Sequence, residues 1–416
     1  MVEVVVTGLG VVSPIGIGVD AVRAALAARK SGVRRLARYA AVGFPVPFGA
    51  EVADFEGREH VRPRKSLKVM SREIQMAFAA ADQAYVASGH APHSIDPERF
   101  GVVFGSDLIQ PDPTETAAAF AGCIDEGNFE FGLWGDAAMR EIQPLWMLKH
   151  LPNMPACHIG IAIDARGPNN TITLGDVSSL SALAEAKGVI ERGAADAALA
   201  GGTGSRLMPT TMARNAAGEA SVRSDVPPAA PRPFEAGRDG EVFGEGAAAM
   251  LLETRASAAR RQATTLAKVA GVGASFGRDE GLISYAAICR ALHRCLEQSG
   301  LTSGDVGLVI AQGRSTQTAD MAEARAIREV LGEVPVTAPS SYYGTLGSGS
   351  GAMASLLAIL ALVDGIIPAT RNYDRPDPRC PLNIVSETGR PLEKPAVVVV
   401  SYSTTGQAAA AAFVRD

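Results

Sequence analysis

Short runs of β-branched and other apolar residues alternate along this chain with longer, Ala-rich stretches whose apolar positions repeat at helical spacing. The pattern predicts strands over residues 2–6, 101–104, 170–173, 195–200 and 242–252, with helices over 74–88 and 178–192. A weaker echo follows: strands over 267–271, 306–311 and 396–402, the last running out at Gly406, and helices over 282–300 and 352–363. Strands alternating with helices predict an α/β fold of parallel strands covered on both faces. Two similar strand–helix series in tandem predict a duplicated core, residues 1–255 and 256–416, joined near 254–266. The Pro-rich stretch 226–233 reads as a loop rather than a hinge between independent domains.

Composition changes this picture little. The 416 residues are 47% hydrophobic and 20% charged, enough to bury a large core. A formal net charge of −5 points away from nucleic acid and anionic membrane as partners. Two basic clusters stand out locally: Arg29, Lys30, Arg34, Arg35 and Arg38, then Arg62, Arg64, Lys65 and Lys68. A solvated face is the plain reading, and a docking patch for an acidic partner the sharper one. Five cysteines without a C-x-x-C pair read as reduced thiols, not as a disulfide scaffold or a zinc site. The first residues run straight into a strand with no signal-peptide pattern, and the apolar stretch 352–363 is too short to span a bilayer. A cytoplasmic protein is expected.

Several blocks, in order over nearly the whole chain, carry a resemblance. They are Val6-Thr7-Gly8-Leu9-Gly10-Val11-Val12-Ser13-Pro14-Ile15-Gly16, Gly101-Val102-Val103-Phe104-Gly105-Ser106, and Gly167-Pro168-Asn169. Ala198-Leu199-Ala200-Gly201-Gly202 follows, then Arg232-Pro233-Phe234-Glu235 and Arg238-Asp239-Gly240-Glu241-Val242-Phe243-Gly244-Glu245-Gly246-Ala247. The series resembles the β-ketoacyl synthases of the thiolase superfamily. That resemblance implies a thiolase-like α/β fold with a duplicated five-layer αβαβα core and mixed sheets. It also implies condensation of acyl thioesters by a Cys at a helix N-terminus, with two His and a supporting Lys at the malonyl site. A helix terminus lowers a thiol pKa, and imidazoles donate to developing negative charge.

Those residues are replaced here. By the resemblance, Asp176 occupies the nucleophile position, Gln312 and Thr345 the two His positions, Ser340 the Lys position and Thr404 the gating Phe of the Gly-rich loop Ser401–Gly406. No one-residue slip restores them: there is no Cys between Cys157 and Cys289, no His after His293, and no Lys between Lys268 and Lys394. Asp176 precedes the helix predicted over 178–192, where a carboxylate can accept backbone N–H bonds, so a capping role is expected. Gln312 and Thr345 read as polar filler. His60, His90, His93, His150, His158 and His293 are scattered and read as ordinary surface or core histidines. No metal or cofactor is expected.

A framework kept while its chemistry is deleted resembles the chain-length factor, the non-condensing partner of a type II polyketide ketosynthase, although those partners typically carry Gln where Asp176 stands. The resemblance implies a heterodimer with an active ketosynthase, a homodimer in isolation, and an acyl carrier protein bearing a phosphopantetheine-linked chain. It places Leu108, Ile109 and Phe120 along the acyl tunnel, and Phe129, Phe131, Trp134 and Trp146 in an insertion that builds the dimer contact. Plain core packing is the alternative for all seven. Three other functions stay open: a thioester hydrolase or acyltransferase using Asp176, a homodimeric acyl- or carrier-binding protein, and a malonyl decarboxylase. The last normally keeps the His pair.

Overall fold

A computed structural model of the chain describes residues 2–91, 94–216, 218, 220–278 and 283–415. Eleven strands form the body of one mixed sheet: β1 (Val4–Ser13), β2 (Phe100–Ser106), β3 (Asn169–Ile172), β4 (Ala197–Ser205), β5 (Glu245–Thr254), β6 (Ala267–Phe276), β7 (Val306–Ile310), β8 (Pro335–Thr337), β9 (Asn383–Ile384), β10 (Ala396–Tyr402) and β11 (Gln407–Val414). Seven helices pack on it: α1 (Val19–Ala27), α2 (Arg72–Ala87), α3 (Met154–Ile163), α4 (Ser178–Glu191), α5 (Tyr285–Ser299), α6 (Gln317–Leu331) and α7 (Ser350–Asp364).

The strand order is β9-β8-β7-β10-β11-β6-β1-β5-β4-β2-β3. The middle strands are antiparallel to their neighbours, whereas β4-β2-β3 on one flank and β10-β7-β8-β9 on the other are parallel. The sheet is mixed, as the resemblance implied, with the parallel strands that alternation predicts confined to the two flanks. Two consecutive strand pairs, β4–β5 and β10–β11, run antiparallel side by side, the second joined by the short turn 403–406. β6 touches β1 through only two residue pairs, Val5 with Lys268 and Val6 with Ala267, so the sheet bends sharply there into two halves.

The helices α4 and α7 lie between those halves. One core cluster joins Leu180, Leu183, Met353 and Leu357 of these helices to Val103, Ala200 and Leu252 on one side and Ile310, Val397 and Phe413 on the other. A second cluster packs α5 and α6 outside the later strands, and a third packs α2 and α3 outside the earlier ones. The layers are helix, sheet, helix, sheet, helix. The segment Gly347–Asp364 is long and apolar enough to cross a bilayer, but it lies buried in the central layer.

The two outer helices sit on their strands by the same device. A Cβ at Gly10 of β1 would stand 2.0 Å from the carbonyl oxygen of Ala80 in α2, and one at Gly273 of β6 would stand 2.1 Å from that of Ala291 in α5. Only a residue without a Cβ lets helix backbone approach strand backbone this closely. Leu282, the first residue of the helix expected over 282–300, and His93 lie outside the described residues. Gly10→Ala should force α2 off β1 and cost about 1–3 kcal/mol, the range for overpacking a filled core. Urea unfolding checks this, and a variant as stable as the parent would show that the helix can shift freely.

Candidate functional site

The four replaced positions come together where β7, β10 and the start of α4 meet. Asp176 lies in the 3-10 turn Gly175–Val177 that leads into α4. Its carboxylate does not cap the helix. Oδ1 accepts from Arg206 Nη2 and Oδ2 from Arg314 Nη1, each at 2.9 Å, with no backbone N–H bonded to either oxygen among the described residues. The capping expectation is thus corrected, because two buried guanidinium groups outcompete the partial charge of a helix end. The turn is closed instead by Ser178, whose Oγ donates to Gly175 O at 2.5 Å and accepts from Leu174 N at 2.8 Å.

Arg314 reaches this place because residues 312–316 leave β7 through Gly313 and Ser315, both with left-handed backbone (φ 55° and 63°). Besides Asp176, its guanidinium pairs with the buried carboxylate of Glu241. Thr345 Oγ1 lies 3.3 Å from Glu241 Oε2 and 3.1 Å from Val242 O. Arg206, just past β4, interacts with both Asp176 and Asp107, and Asp107 accepts from Ser348 N at 3.0 Å and Ser348 Oγ at 2.7 Å. Burial works against ionised Asp176, but the Arg206 and Arg314 charges more than offset it and hold its pKa below the usual carboxylate range. Burial raises the pKa of Asp107. Three carboxyl groups face two guanidinium groups.

Gln312 is fixed as firmly. Its Oε1 accepts from Tyr402 N at 2.7 Å, with Ser401 Oγ at 3.1 Å, and its backbone N–H donates to Glu323 at 2.7 Å. Ser401 Oγ also lies 2.8 Å from Asp176 O, which ties the nucleophile and first His positions together. Ser340 Oγ donates to Gly313 O at 2.6 Å. What is left of an interior here is a cavity of about 20 Å³ lined by Gln312, Ser340, Thr345 and Ser401. That is room for one water molecule. Thr404 is exposed in the turn joining β10 to β11, away from this cavity.

The tunnel candidates separate. Leu108 is 66% exposed and Phe120 48%, while Ile109, at 5%, packs with Val61, Met70, Ile74 and Phe78. Neighbours in an extended segment point opposite ways, so Ile109 faces the chain's own interior while Leu108 faces outward. Phe120 packs at a tilt against Phe129 and Trp134, and Trp146 Nε1 donates to Glu115 at 2.8 Å. Among the histidines, His90 and His150 lie beside Glu253 and Glu115, and burial lowers the pKa of His158. No group of three or more His, Cys, Asp or Glu able to hold a metal occurs among the described residues.

Sequence reasoning missed Arg206, Arg314, Glu241 and Asp107. Their signal was present: charged residues inside Gly-rich, apolar blocks must find partners when those blocks are buried.

The layered architecture, with its reactive positions at the mouth of the central helix layer, is that of the thiolase-like fold. The profile of "Beta-ketoacyl synthase, N-terminal domain" matches residues 1–258, and that of "Beta-ketoacyl synthase, C-terminal domain" residues 266–374. The chain belongs to the β-ketoacyl synthase family. It is 32% identical to a 3-oxoacyl-[acyl-carrier-protein] synthase 2 of Coxiella burnetii over 97% of this chain and 96% of that one. It is also 32% identical, with the same coverage, to the tetracenomycin polyketide synthase ketoacyl synthase beta subunit of Streptomyces glaucescens. Among solved structures, the ishigamide ketosynthase/chain length factor superposes with a TM-score of 0.88 at 26% identity, covering 100% of this chain and 99% of that one.

Removing the Asp176 charge strands two buried cations. Asp176→Ala should cost about 3–5 kcal/mol, and Asp176→Asn nearly as much, because the amide carries no charge and offers one acceptor where two guanidinium groups each need one. A cap would instead lose about 0.5–2 kcal/mol in the Ala variant and little in the Asn variant. Urea unfolding of both separates the cases. A second expectation concerns Glu73, whose pKa is pushed up to about 8 by burial, with Glu245 and Asp107 adding repulsion. The folded state binds this proton more tightly than the unfolded chain, so stability falls as pH rises from the ordinary value of 4.5 towards about 8. Glu73→Gln should gain stability relative to the parent across that window, and the gap measured by urea unfolding should widen from pH 5 to pH 8.

Proposed function

We propose that this chain is a non-condensing ketosynthase-like subunit, which pairs with an active β-ketoacyl synthase and shapes the tunnel for its acyl or polyketide chain. The observation that carries the reading is the state of the nucleophile position. Asp176 offers no thiolate, and both its oxygens are engaged by Arg206 and Arg314. A carboxylate held by two cations is a poor nucleophile, and attack on a thioester would require breaking both pairs. The same observation speaks against a hydrolase or transferase built on Asp176. With Gln312, Ser340 and Thr345 tied into the chain's own network, no imidazole or amine stands ready for decarboxylation either.

The surface supports a partner. Leu108, Phe131, Met139 and Ile161 are 66%, 75%, 86% and 74% exposed, all within the stretch leading to β3. Exposed large apolar side chains recurring along one segment of a folded chain suit an interface with a partner. β3 is also the last strand of the sheet on that side. The family's self-complementary interface would let the chain form a homodimer when no partner is present. Arg64, Lys65 and Lys68 are exposed, which suits docking of an acidic carrier protein. We read the chain as two halves, residues 1–255 and 256–416, supported by the matching approach of α2 on β1 and of α5 on β6. A cytoplasmic location agrees with five free cysteines.

The chain alone should form no β-ketoacyl product from acyl and malonyl carrier thioesters. Co-expressed with an active synthase encoded beside it, it should form a complex burying at least about 2,000 Å². Leu108→Trp should then shorten the dominant product, as read by mass spectrometry. Leu108 is the clean probe, because Ile109 is a core position. A complex whose products ignore both Leu108→Trp and Phe120→Ala would leave a scaffold role and reject chain-length control. Failure to form any complex would reject both.

A further inference from the structure

A larger hollow than the one at the replaced site opens further along α7. It measures about 310 Å³ and opens between α1, the C-terminal half of α7 and the two loops that contribute Ile366–Ala369 and Thr388. Its floor is Leu357, Leu360, Ala361 and Ile367, each at most 4% exposed, and its rim includes Ile366 at 50%. No aromatic ring lines it. The charged residues lining it are Arg23 and Asp364, and these neutralise each other: Arg23 Nε and Nη2 donate to the two Asp364 oxygens at 3.0 and 2.9 Å. Thr388 adds one hydroxyl.

We propose that this hollow is a binding site for an uncharged, unbranched aliphatic chain bearing one small polar head. Each part of the assignment has a source in the lining. An apolar recess in the core, about ten times the 30 Å³ share of one liquid water, has walls that offer water few hydrogen bonds, so filling it with methylenes is favourable. Walls of Leu, Ile, Ala and Pro without rings fit a flexible chain better than a flat aromatic molecule, which would gain no stacking partner. The closed Arg23–Asp364 pair presents no net charge, so a carboxylate would meet Asp364 as readily as Arg23. A hydroxyl head can both donate to Asp364 and accept from Arg23 or Thr388 at the rim. The site does not depend on the tunnel reading above, because none of its lining residues is among the tunnel candidates.

The probe is 1-octanol, titrated into the full chain by calorimetry, with 1-hexanol and octanoate for comparison. Saturable binding of octanol is expected, with affinity falling about fourfold per methylene removed, the factor for one buried CH₂. Octanoate should bind more weakly than octanol. Ala27→Phe fills the mouth from an exposed position, and Ile366→Asp puts a charge on the apolar rim; each should lower octanol affinity at least tenfold while circular dichroism shows the fold intact. Absence of saturable binding, affinity indifferent to chain length, or unchanged binding in both variants would overturn the site. Tighter binding of octanoate than of octanol would overturn the uncharged assignment.

Discussion

Asp176 sits where two buried arginines converge, and much of this structure's interior is arranged around that meeting. A guanidinium group taken out of water needs a carboxylate close by, and Arg314 finds two, Asp176 on one side and Glu241 on the other. Arg206 completes the pairing of Asp176 and adds its charge to that of Asp107. None of these groups can be exchanged alone without leaving another charge uncompensated. The neutral residues around them follow from the same constraint. Gln312, Ser340 and Thr345 hydrogen-bond to backbone and carboxylates without adding charge to a cluster that already holds three acids and two bases. An imidazole or an ammonium at any of these positions would upset that count.

Close backbone contacts bring the charged residues to one point. A Cβ at Gly105, near the end of β2, would lie 2.5 Å from the backbone nitrogen of Ser179, and one at Gly202 of β4 would lie 2.5 Å from the carbonyl oxygen of Ser348. The first turns of α4 and α7 can therefore press against the strand ends that carry Asp107 and Arg206. Ser348 Oγ, within 2.9 Å of Gly175 O and Ser178 Oγ and 2.7 Å of Asp107, ties those two turns to the strand. Strand, turn and charge are thus one arrangement: loosening a glycine contact would move a buried ion pair, and moving the ion pair would strain the helix starts.

The α/β class, most element positions and the replaced residues were legible from the sequence, because periodicity and ordered motifs survive in it. What escaped has physical reasons. β11 reads Gln-Ala-Ala-Ala-Ala-Ala-Phe-Val, a run that local propensity assigns to helix. It is a strand because β6 and β10 pair with it on both sides and its small side chains let α5 pack closely, so tertiary context overrides propensity. α6 was overlooked because its exposed face is strongly charged and its buried face includes Asp320 and Glu323, which break the apolar stripe. Both acids are buried for cause: Asp320 accepts from Phe234 N at 2.8 Å, and Glu323 holds the backbone of Gln312 and Gly313. Asp176 was misplaced as a cap because position relative to a helix shows where a carboxylate starts, not which distant arginine reaches it.

Burying charges is seldom the cheapest way to fill a space; well-packed apolar residues of the same volume are often as stabilising or more so. What ion pairs add is direction. Arg314 must leave β7 at one angle to meet Asp176 and Glu241 together, and this fixes the loop 312–316. Glu241 fixes Thr345 and the loop before α7, and Gln312 fixes Tyr402 and with it the start of the β10–β11 turn. An apolar filling would hold the same volume but allow each loop to settle separately. Here the loops that carry Asp176, Gln312 and Thr345 are locked to one another through ion pairs and hydrogen bonds, so they hold one shape around a cavity with room for a single water.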